Sequence, residues 1–308
     1  MAAPAPAVRW DPDVLARIRA LKLHARALVD GFLHGGHLSG RVSSAVEFAD
    51  YKEYSPGDPL RDLDWRVMGR TDRLVVRRHR AERELPTTLV LDASGDLRTG
   101  ASGGWPQART SPFFGTKWGY AAVLTATLAY WLCRAGEPVG LMVLGGEGVR
   151  WRWLPPRTGE AQLARILGVL AEARPAGRAE LASGLQTLGG RLQRRQLVVL
   201  ISDLMEEPAT WTPALSALLR RRADLRVVHL YDRAEYAMAL PEAGLFQSPE
   251  GGEVVPEDPD EVREAFLEEV DRYLAEVRGA LGAVRGALHP APTDQAMDQL
   301  LARLLRGL

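Results

Sequence analysis

The chain has 308 residues, 46% of them hydrophobic and 25% charged, and its 39 Lys+Arg balance its 39 Asp+Glu. That is the composition of one large globular domain or two ordinary ones; it excludes a disordered chain and the basic footprint of a generic nucleic-acid binder. A single cysteine, Cys133, excludes an internal disulfide and a thiolate metal cage, which fits a reducing compartment and a cytoplasmic location.

The Ala- and Pro-rich start, Met1 to Trp10, lacks the charged and apolar runs of a secretory signal. From Asp11 onward Val14, Leu15, Ile18, Leu21 and Leu28 recur at spacings of three and four, which predicts an amphipathic helix that Gly31 ends. Between Gly35 and Arg83 short alternating runs are broken by Gly35-Gly36, Ser43-Ser44 and Pro56-Gly57-Asp58, which predicts a small β-rich module. A strand, Thr87 to Leu91, then ends in Asp92. The apolar run Tyr120 to Cys133 is shorter than the about 20 residues of a membrane span and holds Thr125 and Thr127, so it reads as the core of a buried helix, Lys117 to Arg134. Val139 to Leu144 and Val149 to Leu154 flank Gly145-Gly146-Glu147-Gly148, a hairpin signal.

Helical patterns follow over Glu160 to Ala173 and Glu180 to Leu192. A strand, Leu197 to Ile201, leads to Asp203; a helix from about Pro213 to Arg222 precedes another strand, Leu225 to Tyr231. Strands alternating with helices imply an α/β fold, a mostly parallel sheet flanked by helices. The tail from Glu250 is acidic and then helical: residues 250–272 carry a net charge of −8, against +4 over 61–83. Two solvated faces explain this segregation, and acidic or basic docking surfaces are the alternative.

Ligands of open α/β sheets gather at the carboxyl ends of the strands. Two strands end in acids here, which can bring Asp92, Ser94, Asp96 and Asp203 together. Short oxygen ligands on loops suit a hard cation such as Mg²⁺ or Mn²⁺, and the same acids can equally end strands or cap helices.

Asp92-x-Ser94 after one strand, with Ile201-Ser202-Asp203 after a later one, resembles the metal-ion-dependent adhesion site (MIDAS) of von Willebrand factor type A domains. Upstream, Glu47-Phe48-Ala49-Asp50-Tyr51, Tyr54-Ser55-Pro56-Gly57-Asp58, Leu60-Arg61-Asp62-Leu63-Asp64-Trp65 and Gly69-Arg70 resemble the signature of the bacterial "domain of unknown function 58" (DUF58) family, which precedes such a domain. The resemblance runs from about Gly35 to Tyr231. It implies a type A-like, Rossmann-like fold and a non-enzymatic protein, often encoded beside a MoxR-type AAA+ ATPase and assisting the assembly or maturation of other proteins. Many family members carry membrane helices ahead of the signature; none is legible here.

The departures from that pattern bear on chemistry. Asp96 stands where a second serine is expected, and Ala179 where the family has a threonine. Asp92, Asp96 and Asp203 around a divalent ion sum to −1, which would repel an incoming carboxylate. The expectation is a closed, degenerate site holding Mg or Mn, or no metal at all; without one, the clustered carboxylates raise a pKa. In the upstream signature Pro56-Gly57 fits a type II turn, with Asp58 bonding nearby amides, Arg61, Asp62 and Asp64 set for ion pairs and Trp65 for burial. Tyr54, Gly57, Asp58, Arg61, Asp64 and Trp65 are therefore candidates for domain docking or partner binding.

No phosphate-binding loop, zinc-protease helix or dinucleotide fingerprint is present. A metal-dependent phosphoryl hydrolase built on Asp92 and Asp203 is one alternative, although Ser94 occupies the position of its second acid; a purely structural subunit is another. The reading is a protein-binding adaptor or co-chaperone for a MoxR-type ATPase and unknown clients. Its expected parts are an N-terminal module over 1–84, a type A-like domain over 85–235 and an acidic helical extension over 236–308.

Overall fold

A computed structural model describes residues 12–34, 48–54, 65–71, 73–79, 85–99, 116–193, 195–236, 244–246, 255–257, 259–284 and 286–305. The chain divides into two compact units, residues 40–84 on the one hand and residues 1–39 with 85–308 on the other. The larger unit opens with α1 (Pro12–His34). The smaller unit pairs β1 (Phe48–Glu53) antiparallel with β2 (Val75–His79), with α2 (Trp65–Thr71) between them in sequence. Half-buried Tyr54 donates its N–H to the Leu74 carbonyl at 2.9 Å, and Trp65 is the first residue of α2. Gly57, Asp58, Arg61 and Asp64 lie outside the described residues, as does the expected Pro56-Gly57 turn.

The larger unit continues with β3 (Thr87–Asp92), α3 (Lys117–Arg134), β4 (Val139–Leu144), β5 (Trp151–Arg157), α4 (Glu160–Glu172), α5 (Leu181–Arg191) and β6 (Leu197–Ser202). Next come α6 (Pro208–Trp211), α7 (Leu215–Arg220), β7 (Asp224–Tyr231), α8 (Arg233–Tyr236), the antiparallel pair β8 (Gly244–Phe246) and β9 (Val255–Glu257), α9 (Pro259–Ala283), β10 (Ala287–Pro292) and α10 (Met297–Leu305). The main sheet has the order β10-β7-β6-β3-β4-β5, parallel throughout except for β5, which runs antiparallel to β4. This is the expected mostly parallel α/β sheet with helices on both faces.

The alternation of side chains along each strand builds two cores. Leu89 and Leu91 of β3, Val199 and Ile201 of β6 and Val228 and Leu230 of β7 point to one face, where Leu21 and Ala25 of α1, most of α3, Leu163 and Leu167 of α4 and Leu300 and Leu304 of α10 cover them. Val90, Val198, Leu200 and Val227 point to the other, against Leu185 and Leu188 of α5, Trp211, Leu215 and Leu218 of α6 and α7, and Val277 and Leu281 of α9. In α3 the hydroxyls of Thr125 and Thr127 donate to the carbonyls of Ala121 and Val123, both at 2.7 Å, which satisfies two polar groups within an apolar helix. Among the described residues no helix is long and apolar enough to cross a membrane.

Several expectations are corrected. α1 runs through exposed Gly31 to His34, because that glycine meets no neighbour and keeps helical geometry. In place of the single helix expected over Pro213 to Arg222, a 3-10 turn, Thr212–Ala214, leads into the short α7, and α6 precedes them, with Pro208 and Pro213 in the first turns of α6 and the 3-10 turn and Trp211 fully buried at the joint. The division into 1–84, 85–235 and 236–308 gives way to a different one. α1 packs into the core of the main sheet, and β10 adds the sixth strand beside β7 from within the presumed extension.

Candidate functional site

β3 and β6 lie side by side and parallel, with Leu91 opposite Ile201, so the residues leaving their carboxyl ends meet in one place. The chain goes from β3 to β4 on one side and returns to β6 on the other, which makes this the switch point of the sheet. Ala93 donates its N–H to Leu144, and the loop ahead of α5 closes over the strand end through Ala176 N–H to Ala93 O at 3.0 Å and Gly95 N–H to Gly177 O at 2.8 Å.

Asp92 is buried at the tip of β3. Its Oδ1 accepts the Ser94 N–H at 2.7 Å, and its Oδ2 accepts the Ser202 hydroxyl at 2.6 Å. The Ser202 Oγ in turn accepts the Leu204 N–H at 2.9 Å, a turn made with Leu204 in the left-handed region at φ 56°. Asp203 is 2% exposed; its Oδ2 accepts from the Lys117 ammonium at 3.1 Å, while its Oδ1 is buried without a hydrogen-bond partner. Lys117, the first residue of α3 and 3% exposed, also donates to Glu235 Oε2 at 3.0 Å. Glu235 sits on α8, beyond β7, and its Oε1 lies 2.8 Å from the Thr99 hydroxyl. Half-buried Asp96 occupies the 3-10 turn Gly95–Arg98, whose last carbonyls lead to Thr99.

The electrostatics follow from burial. Burial pushes the Asp92 carboxyl up to about 7 and the Asp203 charge adds to the rise, against the bonds from Ser202 and Ser94. Asp203 is also raised, first by burial, with Lys117 pulling down and Asp96 pushing up. Burial alone would depress Lys117, but Asp203 and Glu235 outweigh it and hold the ammonium above its ordinary range. His229, opposite Ser202 on β7, is pushed down to about 4, mainly by burial.

Of the residues proposed from sequence, Asp92, Ser94 and Asp203 converge, with Asp96 near enough to act on Asp203. Ala179 is buried in the loop before α5 and offers no hydroxyl. Sequence reasoning missed Lys117 and Glu235. A hard divalent ion wants about six oxygens. Among the described residues no group of three or more His, Cys, Asp or Glu is disposed to hold a metal. Both Asp92 oxygens already accept internal donors, and an ammonium holds one oxygen of Asp203. As arranged, this donor set does not fit Mg²⁺ or Mn²⁺.

Residues 50–275 match the family described as "Protein of unknown function DUF58". The chain belongs to the DUF58 family. Relatives of this DUF58 chain include the uncharacterized proteins Rv1480 of Mycobacterium tuberculosis and Mb1516 of Mycobacterium bovis, each 31% identical over 254 residues, or 79% of this chain and 73% of the relative. Among solved structures it is similar to the conserved hypothetical protein BatB from Bacteroides thetaiotaomicron, at 12% identity and a TM-score of 0.44 over 71% of this chain and 96% of that one. It is also similar to the SpRpn10 VWA domain, at 12% identity and a TM-score of 0.41 over 72% of this chain and 95% of that one.

Proposed function

We propose that this DUF58 protein is a non-enzymatic adaptor or co-chaperone that binds proteins in the cytoplasm, working with a MoxR-type AAA+ ATPase in the assembly or maturation of client complexes. The observation that carries the reading is the closure of the polar cluster at the switch point. Asp92 spends both oxygens on Ser94 and Ser202, and Lys117 is held between Asp203 and Glu235. A nucleophile or a general acid must reach its substrate; Asp92, Lys117 and Asp203 are buried and engaged by internal partners. What faces outward beside them is Met205, 63% exposed, with the partly exposed carboxylates of Asp96 and Glu235. An apolar anchor rimmed by charge suits contact with a protein surface. The balanced net charge argues against nucleic acid as the partner.

The ATPase partnership rests on the family resemblance and is tested by affinity purification of the tagged full chain from its host. The expected result is enrichment of a MoxR-type AAA+ subunit, reduced when Met205 and Glu235 are replaced by Arg. Failure to enrich any AAA+ subunit refutes the partnership. The hydrolase alternative predicts turnover of a generic phosphate ester with Mg²⁺ or Mn²⁺ that Asp92→Asn abolishes; the closed geometry predicts none.

A further inference from the structure

The cluster at the ends of β3, β6 and β7 holds the carboxylates of Asp92, Asp96, Asp203 and Glu235, and one buried ammonium, Lys117, pairs with the last two. We infer that Lys117 supplies from within the chain the positive charge that a divalent ion would otherwise bring to Asp203, so that this site is built to work without a metal.

Its position is the first argument. Lys117 is the first residue of α3, where the unpaired N–H groups already create a positive end that disfavours a cation. Thr116 caps that end, its hydroxyl accepting the Gly119 N–H at 3.1 Å, so the helix needs nothing from Lys117. A lysine placed against the dipole and almost wholly desolvated is held by its two carboxylates alone, at 3.1 and 3.0 Å.

Its chemistry is the second. Lys22, Lys52 and Lys117 are the lysines of a chain whose other 36 basic residues are arginines. Arginine is the ordinary cation here, yet the site takes the compact ammonium, a point charge with three donors that resembles a bound cation more closely than a planar guanidinium does. Crowding is the third argument. A divalent ion bound to Asp203 at the about 2.1 Å of a magnesium–oxygen bond would lie next to the ammonium and repel it. The two cations compete for one place, and Lys117 is covalently tethered there.

Lys117 bonds Oδ2 of Asp203 and leaves the buried Oδ1 of the same carboxylate open. With the ammonium removed, that oxygen, Oδ2 of the same residue and the freed Glu235 form an electron-rich pocket with no counter-charge. A variant without the ammonium therefore acquires the divalent site that the wild type lacks. This concerns the face proposed for docking, but its test needs no partner, so either proposal can fail while the other stands.

The test is calorimetric titration of the full chain with Mn²⁺ alone to millimolar concentration, beside thermal unfolding with and without Mn²⁺. The wild type is expected to show no binding heat and an unmoved midpoint. Lys117→Ala is expected to unfold at lower temperature and to recover part of that loss with Mn²⁺, the recovery disappearing in Lys117→Ala/Asp203→Asn. Lys117→Gln, which keeps most of the side chain's bulk, takes the same test if the alanine variant does not fold. Wild-type binding of one Mn²⁺ per chain that Asp203→Asn abolishes would overturn the inference. So would a folded Lys117 variant whose midpoint Mn²⁺ leaves where it was.

Discussion

Asp92 on β3 and His229 on β7 flank the central strand β6 and are displaced from their ordinary pKa values in opposite directions, to about 7 and about 4. Their effects on stability therefore oppose each other. Below the unfolded value of 6.5 an unfolded histidine takes up a proton that the buried imidazole refuses until about 4, so His229 makes the fold less stable as pH falls through that window. Between the unfolded value of 3.8 and about 7 the buried Asp92 keeps a proton that the unfolded chain has released, so its contribution is lost as pH rises. Each effect is on the order of 3 to 4 kcal/mol in full, and from about pH 4 to 6.5 they largely cancel. Urea unfolding across this range is predicted to show Asp92→Asn losing stability toward acid and His229→Gln losing it toward neutrality. Slopes of the same sign in the two variants would contradict the assignment.

The same residues show what sequence reveals at this scale. The meeting of Asp92, Ser94 and Asp203 was legible because residues at or just beyond the ends of two parallel apolar strands emerge at the same edge of the sheet. Lys117 was not, because its partner Asp203 lies 86 residues away and a basic residue opening an apolar helix looks like an ordinary solvated flank. Its only local signal was being a lysine amid arginines.

At the scale of elements, two adjacent glycines of α5 separate packing from propensity. A Cβ on Gly189 would stand 2.5 Å from the Ala217 Cβ of α7, whereas one on Gly190 would meet nothing within 4 Å. Alanine carries no flexible end that could move aside, so Gly189→Ala is predicted to destabilise by about 1–3 kcal/mol through overpacking. Gly190→Ala, freed of that clash, is predicted to be neutral or to stabilise by up to about 1 kcal/mol through helix propensity. Denaturant midpoints of the two variants check this; equal effects would mean that α5 and α7 do not pack as closely as described. Legibility at this scale follows burial. Strands buried on both faces, β3, β4 and β6, read as continuous apolar runs and α3 as a long apolar stretch. β10 did not, because Ala287–Pro292 contains two prolines and little alternation. Its place at the edge of the sheet explains both, since only an edge strand tolerates residues that cannot donate to a second neighbour.

At the scale of the whole chain, the main sheet is completed from both termini. α1 supplies Leu21 and Ala25 to one core, and β10 with α10 supplies the last strand and Leu300, Leu301 and Leu304 to the same one. Composition concealed this: the acidic run over 250–272 reads as the start of a solvated appendage, whereas α9 turns Val277 and Leu281 into the opposite core. Both faces of the sheet are thus covered, and the carboxyl ends of β3, β6 and β7 are left to a small, largely buried polar cluster beneath an exposed rim. The central claim is that this rim meets the partner. Hydrogen exchange of the full chain, alone and with the MoxR-type ATPase, measures it most directly. Slowed exchange on binding is predicted over residues 93–99, 203–207 and 233–236; protection confined to residues 40–84, with those three segments unchanged, would contradict it.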